Sequence, residues 1–270
     1  MWINLYLVYK NATNILLFAI FTILRYFFYI FFGPVHNCSA SCLFWGIIGG
    51  REAAAHSRPY MASIQVAEGD GMKHECGGFV VADQWVMTAV HCLANGRKVV
   101  LGVHSLSQAE DTKQIFDIME LHNHPQFNPD NYDNDITLIK LDRPFNASEA
   151  VKAVAFLRAG GVNPDTDAEV ETAGWGSVDN LGSRPDTLKE AVIRVVSSNR
   201  CGRSDYFGRK FTDNMICGDS GGPLLYNGVV VGITSNGGKK CGQIKKPGIY
   251  TIISHYTEWI DGVMGIQPDA

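Results

Sequence analysis

At 270 residues the chain is long enough for one large domain or two small ones, and for a substantial buried core. The formal net charge of −4 is unevenly spread: residues 1–46 hold Lys10 and Arg25 and no acid, leaving 21 basic side chains against 27 acidic ones in the rest. A body of that sign has no electrostatic reason to seek nucleic acid.

Residues 1–46 read as a leader rather than as part of the fold. Residues 15–32 form an apolar run of 18 residues broken only by Thr22 and Arg25. A secretory signal has a basic start, a shorter apolar stretch and small residues at the cut. Ser39-Ala40-Ser41 offers those small residues, but the run is long for a signal and reaches the lower limit for a membrane span. A central arginine costs about 2.5–3.5 kcal/mol on insertion. A cleaved signal leading to secretion is the expectation. An uncleaved membrane anchor through residues 15–32 and an atypical leader stay open as alternatives.

From Ile47 onward, short apolar or alternating runs recur between turns rich in glycine, proline and asparagine. They include Tyr60–Val66, Gly78–Val81, Val99–Val103, Ile136–Leu141, Ala191–Val196 and Val229–Thr234. Regularly spaced short strands of this kind predict an all-β barrel or sandwich. Only the end reads as helical: Ser254 to Met264 places Tyr256, Trp259, Ile260 and Val263 at helical spacing, with Ser254 as a candidate N-cap. The triplets Asn11-Ala12-Thr13, Asn37-Cys38-Ser39 and Asn146-Ala147-Ser148 fit the glycosylation acceptor pattern. His122-Asn123-His124 offers two histidine ligands but no third ligand, so a surface turn is preferred to a metal site.

The seven cysteines are Cys38, Cys42, Cys76, Cys92, Cys201, Cys217 and Cys241. They show no paired C-x-x-C spacing of the kind zinc sites use, which favours disulfides in an oxidising compartment. An odd number leaves at least one without an intramolecular partner.

Three stretches carry chemistry. In Gly218-Asp219-Ser220-Gly221-Gly222-Pro223 a serine lies among glycines, which by itself is also the composition of a turn. As chemistry, Ser220 is a nucleophile, and the backbone N–H groups of Gly218 and Ser220 converge on the negative oxygen that develops during acyl transfer. Thr88-Ala89-Val90-His91-Cys92 supplies a base, and Asp135-Ile136-Thr137-Leu138-Ile139-Lys140-Leu141 an acid to orient it. The chain order His, Asp, Ser is that of the chymotrypsin type, not of subtilisin or the α/β-hydrolases.

Further stretches extend the likeness: Ile47-Ile48-Gly49-Gly50, Cys76-Gly77-Gly78, Ala173-Gly174-Trp175-Gly176 and Pro247-Gly248-Ile249-Tyr250. With the three above, they make residues 47–270 similar to the trypsin-like serine proteases. The resemblance implies two six-stranded antiparallel β-barrels with a cleft between them, a C-terminal α-helix and a monomer that acts on protein substrates without cofactor or metal. It assigns His91, Asp135 and Ser220 as the catalytic triad. It also implies an activation salt bridge from the freed amino group of Ile47 to Asp219, and a substrate pocket walled by Thr234, Ser235, Gly248 and Tyr250. By family position it implies disulfides Cys76–Cys92 and Cys201–Cys217, with Cys217–Cys241 as the alternative to the second.

The chain departs from the family in three places. The family has a loop between Met215-Ile216-Cys217 and the serine motif, carrying the acid at the floor of the specificity pocket and one more cysteine. Here Cys217 joins Gly218 directly. Cys241 resembles the partner of the missing cysteine, while another family disulfide is replaced at both ends, by Val170 and Tyr226. Activation ordinarily cuts after a basic residue, but Gly46 precedes Ile47 and no lysine or arginine occurs between Tyr26 and Gly46. A protease fold unable to cleave is therefore kept as the competing expectation.

Overall fold

The computed structural model describes residues 47–267, apart from 48, 70, 94–95, 180–181, 219–221 and 237–244. The leader, Asp219, Ser220 and Cys241 therefore lie outside the described residues. Among those described, no helix is long and apolar enough to cross a membrane.

The first barrel is built from consecutive strands: β2 (Met61–Glu68), β3 (Gly71–Ala82), β4 (Trp85–Thr88), β5 (Arg97–Leu101), β6 (Gln114–Asn123) and β7 (Thr137–Leu141). They close in the order β2-β3-β4-β7-β6-β5. Closure leaves no strand edge unpaired. Inward residues such as Ile64, Phe79, Val99, Phe116 and Ile139 are fully or almost fully buried. Alternation along the strands supplies that inner face.

The second barrel uses β8 (Glu169–Gly174), β9 (Lys189–Val196), β10 (Met215–Gly218), β11 (Leu224–Tyr226), β12 (Val229–Asn236) and β13 (Gly248–Ile252). The order is β9-β10-β13-β12-β11-β8, and β8 pairs back with β9. The short strand β1 (Arg51–Glu52) adds to β9, so the start of the domain belongs to its second half. The Glu52 carboxylate takes hydrogen bonds from Lys189 Nζ and Thr187 Oγ1 at 2.8 Å each. With His104 these hold its pKa down to about 2. Arg58 bridges Glu171 at 2.6 Å and Glu190 at 3.1 Å on the same face.

The chain thus forms the two six-stranded antiparallel barrels and terminal helix that the resemblance implies. Several bounds differ from the sequence expectation. β3 extends upstream of Gly78–Val81 to Gly71. His122 and Asn123 end β6 instead of forming a turn, and His122 Nε2 lies 2.8 Å from Glu120 Oε2. Of the two α-helices among the described residues, α1 is a single turn, Ser198–Cys201, capped by the Ser197 side chain. The terminal helix α2 is Thr257–Met264, following a 3₁₀ turn over Ile253–Tyr256. Ser254 is therefore not its N-cap. It lies buried inside the tighter turn, where its hydroxyl accepts a hydrogen bond from Asn163 Nδ2 at 3.1 Å. Gly265, with φ of 69°, closes the helix in the left-handed conformation that favours glycine.

Two disulfides are present among the described residues, Cys76–Cys92 and Cys201–Cys217, each spanning a sequence separation of 16. Where the family has a further disulfide, Val170 is buried and Tyr226 packs against the same apolar cluster, which fills the second barrel. That exchange keeps the space filled without sulfur.

Candidate active site

The pairing of β4 with β7 explains how His91 meets Asp135. Thr88 at the end of β4 is in register with Thr137 at the start of β7. In an antiparallel pair, the chain leaving one strand runs beside the chain entering the other. Three residues past Thr88 and two residues before Thr137 are therefore neighbours. His91 sits in a 3₁₀ turn over Val90–Cys92, and Cys92 is bonded back to Cys76 in β3. Thr88 Oγ1 adds a hydrogen bond to the Gly77 carbonyl at 2.8 Å. The turn that presents the imidazole is thus tied to the barrel wall.

Asp135 has no solvent exposure, whereas the His91 side chain keeps 13%. His91 Nδ1 lies 2.6 Å from Asp135 Oδ2, and the His91 backbone N–H donates to Oδ1 at 3.1 Å. A third donor comes from the other barrel: Ser235 Oγ in β12 reaches Asp135 Oδ2 at 2.6 Å. Thr251 Oγ1 in β13 donates to the Asp135 main-chain carbonyl at 3.2 Å. A buried carboxylate is stable only when its oxygens are met in this way. The arrangement fixes the Nδ1 face of the imidazole and leaves Nε2 as the nitrogen for chemistry. The edge of Tyr132 packs on the same ring, with centroids 5.7 Å apart.

The backbone before Asp135 is held from outside its own barrel. Tyr132 and Asn134 both have positive φ, 60° and 58°, in the region non-glycine residues seldom occupy. Asn134 Oδ1 accepts from Tyr256 Oη at 3.0 Å and from Asn214 Nδ2 at 3.4 Å. Asp133 Oδ1 accepts from Thr212 Oγ1 at 2.6 Å and from Asn214 Nδ2 at 3.1 Å. Asn214 did not stand out in the sequence, and Tyr256 only as a helical position, because each acts on a residue about 80 to 120 positions away.

Ser220 and Asp219 lie outside the described residues, but both flanks of their segment are anchored. Upstream, Gly218 ends β10 in register with Val195 of β9 and Gly248 of β13. Downstream, Gly222 lies so close to β8 that a Cβ there would stand 1.8 Å from the Ala173 carbonyl oxygen, which only glycine tolerates. Thr234 Oγ1 hydrogen-bonds the Gly222 carbonyl. Ile47 is buried, with its side chain against Gly50 and Gly174, and Gly174 also adjoins Gly222.

Of the residues expected to wall a substrate pocket, Thr234 lines a cavity shared with Cys76, Gly174, Trp175 and Gly222. Ser235 is buried beneath Asp135, with its hydroxyl committed to the carboxylate. Tyr250 is also fully buried in the second barrel's core, paired with Ile216 and Thr234. Gly248 faces Gly218 directly across the ladder, and the Tyr250 ring lies 3.7 Å from where a Gly218 Cβ would stand. Cys217 joins Gly218 directly, and β10 continues to Gly218 where the family has a loop. A strand paired on both edges turns its N–H into the plane of the sheet, toward a neighbouring strand. Cys76, Cys92 and His91 cluster closely enough to suggest a metal, but the two sulfurs are bonded to each other and offer no thiolate.

Comparison with known proteins agrees with this architecture. The trypsin family model matches residues 47–260. Rat granzyme M is 38% identical over 235 residues, covering 81% of this chain and 89% of the relative. Rat kallikrein-8 is 36% identical over 234 residues, covering 81% and 86%. Among solved structures, mouse neuropsin, a serine protease expressed in the limbic system of the brain, superposes with a TM-score of 0.72 at 36% identity, covering 81% of this chain and all of that one. With both barrels closed and a buried aspartate paired to a histidine between them, the chain belongs to the trypsin family of serine endopeptidases.

Proposed function

We propose that this chain is a secreted endopeptidase in which Ser220, His91 and Asp135 act as a catalytic triad, residues 47–270 being the catalytic domain and residues 1–46 its leader. The observation that carries the reading is the 2.6 Å contact of His91 Nδ1 with a fully buried Asp135. Held by that contact, His91 presents Nε2 to take the Ser220 proton as the hydroxyl attacks a scissile carbonyl, and later returns it to the leaving amine. Asp135 keeps the tautomer and stabilises the imidazolium. The main-chain N–H of Ser220 receives the oxyanion, joined by that of Gly218 once it leaves the β10 ladder. An Ile47 amino group, once freed, pairs with Asp219 and shapes that site, and the burial of Ile47 beside Gly174 suits this role.

For substrate, the reading follows a sequence resemblance to complement factor D. It rests on Gly49–Ala53, His56–Ser63, Leu101–Gln108 and Lys245–Thr251, and on Thr234-Ser235 where most of the family has Ser-Trp. Factor D cleaves one arginyl bond in complement factor B once B is bound to the activated third component. The proposed substrate is that bond, and the proposed setting the alternative pathway.

A second reading is favoured by one observation: Gly218 is locked between β9 and β13, where the family has a loop with the arginine-binding acid. On this reading the fold persists and cleavage is impaired. Fluorophosphonate labelling of residues 47–270 with a free Ile47 amino group separates the two. Labelling at Ser220, abolished by Ser220→Ala, supports the working triad; an unlabelled Ser220 in folded protein refutes it.

A further inference from the structure

We propose that Asn146 is an N-glycosylation site, a modification that rests on the secretory reading above but not on catalysis. Asn146-Ala147-Ser148 is the one acceptor triplet after residue 46. Its residues, with Glu149, form an exposed run between buried Phe145 and Ala150.

The backbone of this turn is fixed while the acceptor side chain is not engaged. The Phe145 N–H donates to the Asp83 carbonyl at 2.9 Å. Gln114 grips Asn146 from both sides: its Nε2 donates to the Asn146 carbonyl at 2.8 Å, and its Oε1 accepts the Asn146 N–H at 2.9 Å. Ser148 and Val151 exchange main-chain bonds at 3.0 and 3.2 Å. Among the hydrogen bonds of the described residues, none uses the Asn146 carboxamide. A sugar there displaces no contact, so the fold neither resists the modification nor depends on the free amide.

The position also spares the cleft. Gln114 opens β6, and Asn123 closes it beside Thr137, two residues from Asp135. At about 3.3 Å per residue, β6 spans up to roughly 30 Å, with the glycan's anchor at one end and the approach to the His91–Asp135 pair at the other.

In the transfer, the Asn146 carboxamide nitrogen attacks C1 of the first sugar of a lipid-pyrophosphate-linked oligosaccharide. The N–C1 bond forms and the C1–O bond to pyrophosphate breaks. The lipid pyrophosphate leaves with the electron pair, and one amide proton passes to a base of the transferase.

The test expresses the full chain in eukaryotic cells and treats the product with an amidase that removes N-glycans, with peptide mass mapping of residue 146. The expected result is a mobility shift on treatment and conversion of the glycosylated asparagine to aspartate at position 146. Asn146→Gln and Ser148→Ala should lose the shift, and Ser148→Thr should keep it. An unmodified Asn146 peptide, or a shift unchanged in Asn146→Gln, overturns the proposal. Recovery of the chain from the culture medium reads export separately. An unmodified Asn146 in exported protein overturns the glycan while the secretory reading stands, and a chain retained in the cytosol overturns the secretory reading itself.

Discussion

His74 is the side chain whose environment most opposes its ordinary charge. It is buried in β3 with Nδ1 2.7 Å from Ser63 Oγ, and Gln65 Nε2 donates to that same hydroxyl at 2.9 Å. Burial, with a smaller push from Arg184, brings its pKa down from 6.5 to about 3. Above pH 6.5 the ring is neutral in both folded and unfolded chains and costs nothing. Below it, the unfolded chain binds a proton that the folded chain refuses. Stability therefore falls as pH drops from 6.5 toward 3, by up to about 1.4 kcal/mol per pH unit. His74→Gln should flatten that slope in urea titrations between pH 4 and 7; a variant that tracks the parent would place the effect elsewhere. At Ser235 the expectation is a loss of both stability and reactivity. A hydrogen bond to a charged group contributes about 1.5–3 kcal/mol, so Ser235→Ala should lower the unfolding free energy by about that amount. It should also slow fluorophosphonate acylation about tenfold or more, since Asp135 loses the donor that fixes its Oδ2. Unchanged acylation in a destabilised Ser235→Ala protein would make Ser235 purely structural.

Elements meet around the loop that ends at Asp135. Tyr256, leading into α2, and Asn214, leading into β10, hold Asn134 in a backbone conformation costing of order 1 kcal/mol or more when unsupported. Tyr256→Phe should therefore cost about 1 kcal/mol in denaturation and slow acylation at Ser220 severalfold, with no change in far-ultraviolet dichroism. The short Cys76–Cys92 loop should contribute roughly 3 kcal/mol on the chain-entropy estimate, so the paired Cys76→Ala, Cys92→Ala variant should unfold at lower urea with the barrels otherwise intact. Strands with continuous or alternating apolar residues, such as β2, β7, β9 and β12, were legible in the sequence because burial imposes that pattern. β6 was not: its burial alternates, but the apolar Ile115, Met119 and Leu121 all lie on its outward face, so the sequence does not alternate with it. The cap of α2 was misplaced because Ser254 is chemically a good cap, and packing against Asn163 took its hydroxyl elsewhere.

Across the whole molecule, the site is legible where it is local and hidden where the two barrels meet. The motifs around His91, Asp135 and Ser220 announce acyl transfer through their own residue types. That Ser235 serves Asp135 depends on the packing of two barrels, and no short window of sequence contains it. The joint of Cys217 to Gly218 is legible as a deletion, but only the pairing of Gly218 with Gly248 shows that the strand continues through it. An arginine side chain entering without its acid forfeits a buried pair, which costs about 3–5 kcal/mol, or roughly two to four orders of magnitude in rate. Cleavage of an arginyl thioester by residues 47–270 should be lower by that factor than for a version carrying the family's loop. Equal rates would show that the direct joint is no handicap.

The place of β1 bears on the order in which the molecule can be made. β2 to β7 lie in one unbroken stretch, 61–141, so the first barrel can close while the ribosome is still at work on the rest. β1 emerges earlier still, yet its partner β9 begins at Lys189. The segment that carries Ile47 must therefore wait, unpaired and open to proteases, through the synthesis of well over a hundred further residues. The His91–Asp135 contact can form during that interval, while its seal from Ser235 arrives near the end of translation. The order of synthesis thus keeps the pair incomplete in the nascent chain, before any freeing of Ile47 comes into play.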